Sequence, residues 1–454
     1  METLRRKNRD FLWGVATSSY QIEGGADKED RGKSIWDTFC EGKGNVKGGA
    51  DGKFACDFYH RFRDDLKLLK ELGVNAFRFS LSWSRILPEG RGKVNPAGVD
   101  FYNQVIDILK SYDIEPLVTL YHWDMPETLY RCGGLLNRDF AGWFSDYTEI
   151  AAKAFGDRVK HFSTINEPQC VIGDGLVTAA HAPGDRLNGG RMRAAIHHLL
   201  LCHGRAVSAL RATLPHATAG FVNCAIGFYP ENENAETIEA AKKSTFALYD
   251  ALPYSLSLYC DPVYLGDYPK EYYEAYPDTE DFIRPEDLRE IGQPCDFFYQ
   301  NVYGGSPMGV KDGKPYSPPT KKGDPANGLG WRVDENGLYW ISKFVYERYK
   351  KPVIIAENGY CGLDNVCLDG KVHDADRIDY LQRHIGKMTD AKKDGTDIAG
   401  YLVWTFLDNF EWTYGYSKRF GLVHVDFSTQ KRTPKDSFYW YRDFLKTVQP
   451  CSKK

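Results

Sequence analysis

Eight short apolar runs alternate with amphipathic stretches along this 454-residue chain, and that alternation leaves few architectures open. The runs lie at 11–17 (FLWGVAT), 76–81 (AFRFSL), 115–123, 161–165, 218–225, 296–303, 353–356 and 398–406. Apolar residues recur at helical spacing over 61–72, 96–111, 140–155, 192–213, 338–349 and 377–393, with further helical segments from about Glu236 and over about 435–445. Gly73 reads as a helix stop and Pro96 as a helix start. Strands alternating with helices build parallel sheets, because each strand must be carried back by a crossover. The count of eight predicts closure: an α/β fold, a single (β/α)8 TIM barrel over 1–454. A minimal barrel needs about 250 residues. The surplus belongs in enlarged βα loops, the longest expected after the first and sixth strands. No repeat, low-complexity tract or linker divides the chain.

Two of the runs end in a carboxylate. The fourth closes as TINEP, with Asn166 and Glu167 before Pro168, and the seventh as IIAENG, with Glu357 before Asn358 and Gly359. Pro168 has no N–H, so regular pairing stops there. Successive strand side chains point to opposite faces. Asn166 and Glu167 can therefore share a site only where the strand leaves its pleat, as at a strand end.

Other chemistry-bearing residues also follow strands. Gln21 comes after the first, His122 and Trp123 end the third, and Asn301 and Tyr303 end the sixth; Trp404, Glu411 and Trp412 end or follow the eighth. The second is followed by Trp83 and Arg85, and the fifth carries Asn223. In a barrel, residues at the C-terminal rim converge on one site. Taken singly, a Glu at a strand end is an ordinary solvated residue or helix cap, and a lone His is a structural one. Taken together, amides, carboxylates and interleaved Trp suit a pyranose, which presents vicinal hydroxyls and an apolar C–H face. Cleaving its glycosidic bond needs two carboxylates. No P-loop, no GxGxxG after a strand and no His/Asp cluster at ligand spacing is present, so neither a metal nor an organic cofactor is expected.

Composition excludes further classes. A net charge of −4 with both signs dispersed gives no electrostatic case for nucleic acid or an anionic membrane. No run is long enough to span a bilayer, and the N-terminus lacks an apolar signal region. The 11 cysteines form no CxxC or Cys/His zinc pattern and sit mostly among apolar neighbours, as Cys202 and Cys295 do. Free thiols in a reducing cytoplasm are the expectation, although Cys361 and Cys367 share a loop and could pair. The 10 Trp, 29 Tyr and 25 Phe fill a large core, with some available as stacking surfaces for a sugar.

At this point the residues carry a resemblance. FLWGVATSSYQIEG (11–24), FRFSLSWSRILPEG, TLYHWDMP, TINEP, IIAENG, LDNFEW and FGLVHVDF (420–427) span nearly the whole chain, and they resemble the β-glucosidases of glycoside hydrolase family 1. The resemblance implies that Glu167 is the general acid/base and Glu357 the nucleophile of a retaining exo-β-glycosidase. Gln21, His122, Asn166, Glu411 and Trp404 would hold the sugar, with Trp123, Trp412 and Phe420 among the substrate-binding residues. Asn301 and Tyr303 would orient the reacting groups, Tyr303 by bonding to Glu357, and Trp331 would line the leaving-group side. Retention further implies carboxyl groups about 5–5.5 Å apart.

The implied substrate is a small β-glycoside, chiefly a terminal β-glucosyl residue, with galactosyl or fucosyl residues also open. The oligomeric state is open. A 6-phospho-β-glycosidase is the runner-up, although such relatives replace the Glu-Trp kept here as Glu411 and Trp412. A non-catalytic sugar-binding barrel is the alternative of another class. The sixth strand, DFFYQNVY, departs from the family pattern at Tyr299, where a Gly is usual, and at Val302, where a Tyr is usual. The two departures bear on the shape of the site.

Overall fold

In the computed structural model, which describes residues 11–449, eight parallel strands close into a barrel. They are β1 (Leu12–Ala16), β2 (Ala76–Ser80), β3 (Glu115–Tyr121), β4 (His161–Asn166), β5 (Thr218–Cys224), β6 (Phe297–Asn301), β7 (Val353–Asn358) and β8 (Ile398–Trp404). Hydrogen bonding runs β1-β8-β7-β6-β5-β4-β3-β2 and back to β1. Each strand lies within or overlaps one of the eight apolar runs. Helices Pro96–Ser111 and Phe140–Phe155 match the sequence periodicity end to end. Four others, Phe58–Leu72, Gly189–Thr213, Asn336–Tyr349 and Ala375–Lys393, start two or three residues earlier than their apolar stripes. Most residues in these added first turns are polar or glycine, so the stripe does not mark them; Phe58, which is buried in the core, is an exception. Asn95 caps the first of the matched pair through its side chain, and Gly73 ends its predecessor at φ 79°.

Period-two alternation sorts each strand between two cores. On β6, Phe297 and Tyr299 join Leu117, Val222, Ile354 and Leu402 inside the barrel, while Phe298 faces outward and stacks on Tyr349 at 5.3 Å. The next inward position is Asn301, at the C-terminal end. The alternation that packs the lumen thus also delivers polar side chains to its top. Val302 joins the outer core and is fully buried, so its departure from the family pattern does not touch the rim. Tyr299 fills the lumen instead, seated on Gly220 of the adjacent strand. A Cβ built at Gly220 would lie 2.1 Å from the tyrosine ring.

The loop expectation needs a correction. The segments after β1 and β6 are long, but the β5–β6 crossover, residues 225–296, is longer. It holds a short strand, Phe228–Pro230, and helices Ala235–Phe246, Leu256–Tyr264, Lys270–Ala275 and Asp287–Ile291. That strand pairs with Ser306–Lys311 from the segment after β6, which folds back on Lys314–Tyr316. Such a long-range pairing leaves no local trace in the sequence. No helix among the described residues is long and apolar enough to cross a membrane. Cys202 and Cys295 are buried and free. Cys361 is buried, Cys367 is exposed, and neither is paired.

Tyr299 and Gly220 should behave as a unit. Gly220→Ala is expected to cost about 1–3 kcal/mol through overpacking. Adding Tyr299→Ala should return part of that loss, so that urea unfolding gives a double variant more stable than the sum of the singles. Strict additivity would mean the ring does not rest on this glycine.

Candidate active site

Local backbone irregularity brings the two strand-end carboxylates to the same end of the barrel. β4 slips register against β5 between Ser163 and Asn166. Glu167 then adopts the left-handed region, φ 46° and ψ 73°, and Pro168 begins a short helix. A bulky side chain there is strained. The reversal turns Asn166 and Glu167 to one side, where both accept from the Asn301 amide, at 3.2 Å (Asn166 Oδ1) and 2.7 Å (Glu167 Oε1). On β7 the register slips after Ile355 against both neighbours, which lifts Glu357 out of strict alternation.

Glu357 is gripped from two sides. Its Oε1 accepts from the Arg78 guanidinium at 2.6 Å and its Oε2 from the Tyr303 hydroxyl at 2.7 Å. Arg78 also donates to Asn166 Oδ1 at 2.6 Å and to Thr119 Oγ1 at 3.0 Å. An unbroken run of hydrogen bonds thus joins Glu357, Arg78, Asn166, Asn301 and Glu167.

The two carboxyls are held in different states. Burial, followed by the charge of Glu357, pushes Glu167 up to about 8. Burial raises Glu357 too, but Arg78 and Tyr303 stabilise its anion directly. Glu167 has only neutral donors, Asn301 and the Cys170 thiol at 3.3 Å. Glu357 is therefore the group that ionises first. Burial keeps the Tyr303 hydroxyl protonated and available as a donor.

The remaining sequence-predicted residues surround this pair. The His122 ring lies between Trp404 at 6.0 Å and Trp412 at 5.9 Å, nearly parallel to both. Burial and the nearby Arg78 charge hold His122 neutral. Its Nε2 accepts from the Asn166 amide at 3.2 Å, which leaves the Nδ1 proton buried without a protein partner. Trp123 donates to the Asn166 carbonyl at 2.9 Å and packs on Trp412 at 4.6 Å. Both tryptophans have positive φ, 76° and 49°. Gln21 is fixed by Ser18 and by the Phe410 carbonyl, and its amide reaches Glu411 Oε2 at 3.5 Å. Burial, then Glu357 and Glu167, push Glu411 up to about 8. Tyr303, Trp331 and Phe420 form a second aromatic group, with centroids 5.3–6.2 Å apart, and Trp331 is 44% exposed at its outer side.

Three residues named beside strand ends lie elsewhere. Arg85 pairs with Glu23 at 3.0 Å, Trp83 stacks on Tyr147, and Asn223 accepts from Cys260. Conversely, the sequence reading missed Arg78. An arginine between two phenylalanines in an otherwise apolar strand was the available signal. It also missed Trp36, which packs on Trp412 at 4.6 Å.

Comparison with known proteins places this geometry in context. The description Glycosyl hydrolase family 1 matches residues 5–449. A curated relative, Beta-glucosidase A of Thermotoga maritima, is 45% identical over 438 residues, covering 96% of this chain and 97% of the relative. A bifunctional beta-D-glucosidase/beta-D-fucosidase of Bifidobacterium breve is 38% identical, covering 96% and 97%. Among solved structures, a β-glucosidase from Thermotoga maritima in complex with glucoimidazole superimposes with a TM-score of 0.87 at 44% identity, covering 96% and 98%.

The raised Glu411 carboxyl has a stability consequence. Its folded-state value, about 8, stands above the ordinary 4.5. The folded protein therefore binds this proton more tightly than the unfolded chain does, and that contribution fades as pH rises from about 4.5 through about 8. Glu411→Gln should match the parent in urea midpoint at pH 4 and exceed it at pH 9. A deficit at pH 9 would refute the reading.

Proposed function

The chain belongs to glycosyl hydrolase family 1, and from that membership we propose that it is a retaining, exo-acting β-glucosidase. The observation that carries the reading is the asymmetry of the carboxyl pair: Glu357 held as an anion by Arg78 and Tyr303, and Glu167 kept protonated by burial and by that same anion. A nucleophile and an acid are what the first half of a double displacement requires. Glu357 attacks the anomeric carbon while Glu167 protonates the departing oxygen. Neutralising Glu357 in the ester removes the repulsion that raised Glu167. Glu167, ionised on giving up its proton, then accepts one from water, which displaces Glu357 with net retention.

Sugar recognition follows from the same groups. His122 Nδ1 and the Gln21 amide offer protons to hydroxyls, and Glu411 accepts from them. The tryptophans present faces to C–H bonds, and Trp331 stands on the aglycone side. A carboxylate at Glu411 opposes a 6-phosphate at close range, which disfavours the 6-phospho-glycoside reading. The beta-glucosidase and beta-fucosidase names of the relatives support glucosides as main substrates, cellobiose among them, with fucosides or galactosides alongside. The free thiols support a reducing, cytoplasmic setting.

Removing the two carboxylates should produce opposite anomers. In Glu167→Ala the nucleophile remains, so a dinitrophenyl glucoside should still form the glycosyl-enzyme, and added azide should yield the β-glucosyl azide. In Glu357→Gly azide enters the vacated space and should yield the α-azide. Reversed products would reverse the assignment. A loss of less than about tenfold in both variants, roughly 1.4 kcal/mol, would remove both from catalysis.

The pH–rate profile should be bell-shaped, with the alkaline limb set by Glu167 losing its proton near about 8 in the free protein. Arg78→Met takes away the cation that lowers Glu357. The acid limb should move to higher pH, with kcat/KM reduced on the order of 100-fold or more. An unmoved acid limb in a folded variant would detach Arg78 from the nucleophile.

A further inference from the structure

The crossing from β4 to β5 sets two thiols, which the hydrolytic cycle leaves unused, beside Glu167. Glu167, Cys170 and Cys224 each offer one ligand atom, and the three atoms lie within 4.8 Å of one another. Cys170 ends the short helix begun by Pro168, and its thiol sits 3.3 Å from Glu167 Oε2. Cys224 is the last residue of β5, and its sulfur lies within 4.8 Å of that of Cys170. The frame is tied together by backbone: Glu167 N–H donates to the Val222 carbonyl at 2.9 Å, Cys170 N–H to the Glu167 carbonyl at 3.0 Å, and Cys224 N–H to Gln169 Oε1 at 3.2 Å. Both cysteines are half-buried residues.

We propose that Glu167, Cys170 and Cys224 form a binding site for a soft or borderline divalent cation, of the zinc or cadmium class, that switches the glycosidase off. Two sulfurs and one carboxylate oxygen suit such ions and not magnesium or calcium. Zn–S bonds of about 2.3 Å and Zn–O bonds of about 2.0–2.2 Å place tetrahedral ligand atoms roughly 3.5–3.8 Å apart. The three atoms reach that spacing with a modest contraction. Three protein ligands leave a fourth position for water. Binding expels the two thiol protons, together with the Glu167 proton when present, and changes no oxidation state, so the bound form gains on the free one as pH rises. A metal-bound Glu167 has no proton to give. The inhibitory half of the proposal rests on the acid/base reading of Glu167, whereas the site itself does not. Sequence spacing conceals it, because the second cysteine arrives from the neighbouring strand.

The test uses the whole chain carrying Cys132→Ala and Cys367→Ala, which removes the exposed thiols among the described residues, together with Cys451→Ala. Titrating CdCl2 should produce a thiolate-to-cadmium charge-transfer absorption that saturates at one equivalent. Hydrolysis of a nitrophenyl β-glucoside should fall in parallel and recover with EDTA, and MgCl2 should do neither. Cys170→Ala and Cys224→Ala, each compared with its own metal-free rate, should weaken cadmium binding on the order of 100-fold and abolish the one-equivalent absorption. Absence of that absorption in the parent, or its persistence in both variants, overturns the site. Absorption at one equivalent without loss of activity supports the site and instead overturns the acid/base role of Glu167.

Discussion

One buried cation organises the centre of this barrel. Arg78 projects from the middle of β2, fully enclosed, and spends its guanidinium on Glu357, Asn166 and Thr119. Without it, carboxyl groups near the strand ends would face each other in a desolvated space, and burial would hold each above the ordinary carboxylate range. Placing the positive charge against Glu357 alone breaks that symmetry. The nearer carboxyl becomes an anion, the farther one becomes an acid, and the amides of Asn166 and Asn301 carry the connection between them. The difference between the two carboxyls at the top of the barrel thus rests on a residue outside the pair.

Much of this was legible in the sequence, and what escaped did so for identifiable reasons. The barrel was legible because hydrophobic period is local: β6 reads as alternating inward Phe297, Tyr299 and Asn301, and the helix Phe140–Phe155 as an unbroken apolar stripe. The carboxyl pair was legible because each sits at the end of such a run, where the chain must leave its pleat. Arg78 was missed although its place between two phenylalanines marks it, since nothing local says that a distant strand supplies its anion. The strand Phe228–Pro230 escaped in the same way, its partner lying at Ser306–Lys311. The contact of Cys170 with Cys224 exists only once β4 and β5 are side by side.

Function and stability pull against each other here. Glu167, Trp123 and Trp412 all hold left-handed backbone with large side chains, a conformation that costs of order 1–3 kcal/mol at each position. Three carboxyls sit where water is scarce, and two of them rise to about 8. The surrounding fold over-determines these arrangements. Lys435, itself fully buried, bridges Asp364 and Asp408, while Arg377 and Arg419 bind the same two aspartates and so clamp together the segments that follow β7 and β8.

The seat of Tyr299 on Gly220 has a consequence of another kind. Residue 220 is not free to vary alone: with the ring of Tyr299 in place, a side chain there meets the ring at 2.1 Å. A tyrosine at 299 therefore calls for glycine at 220, and a larger residue at 220 calls for loss of the ring. The pair constrains sequence change beneath the catalytic rim. It ties change in β5 to change in β6 although neither residue faces a substrate.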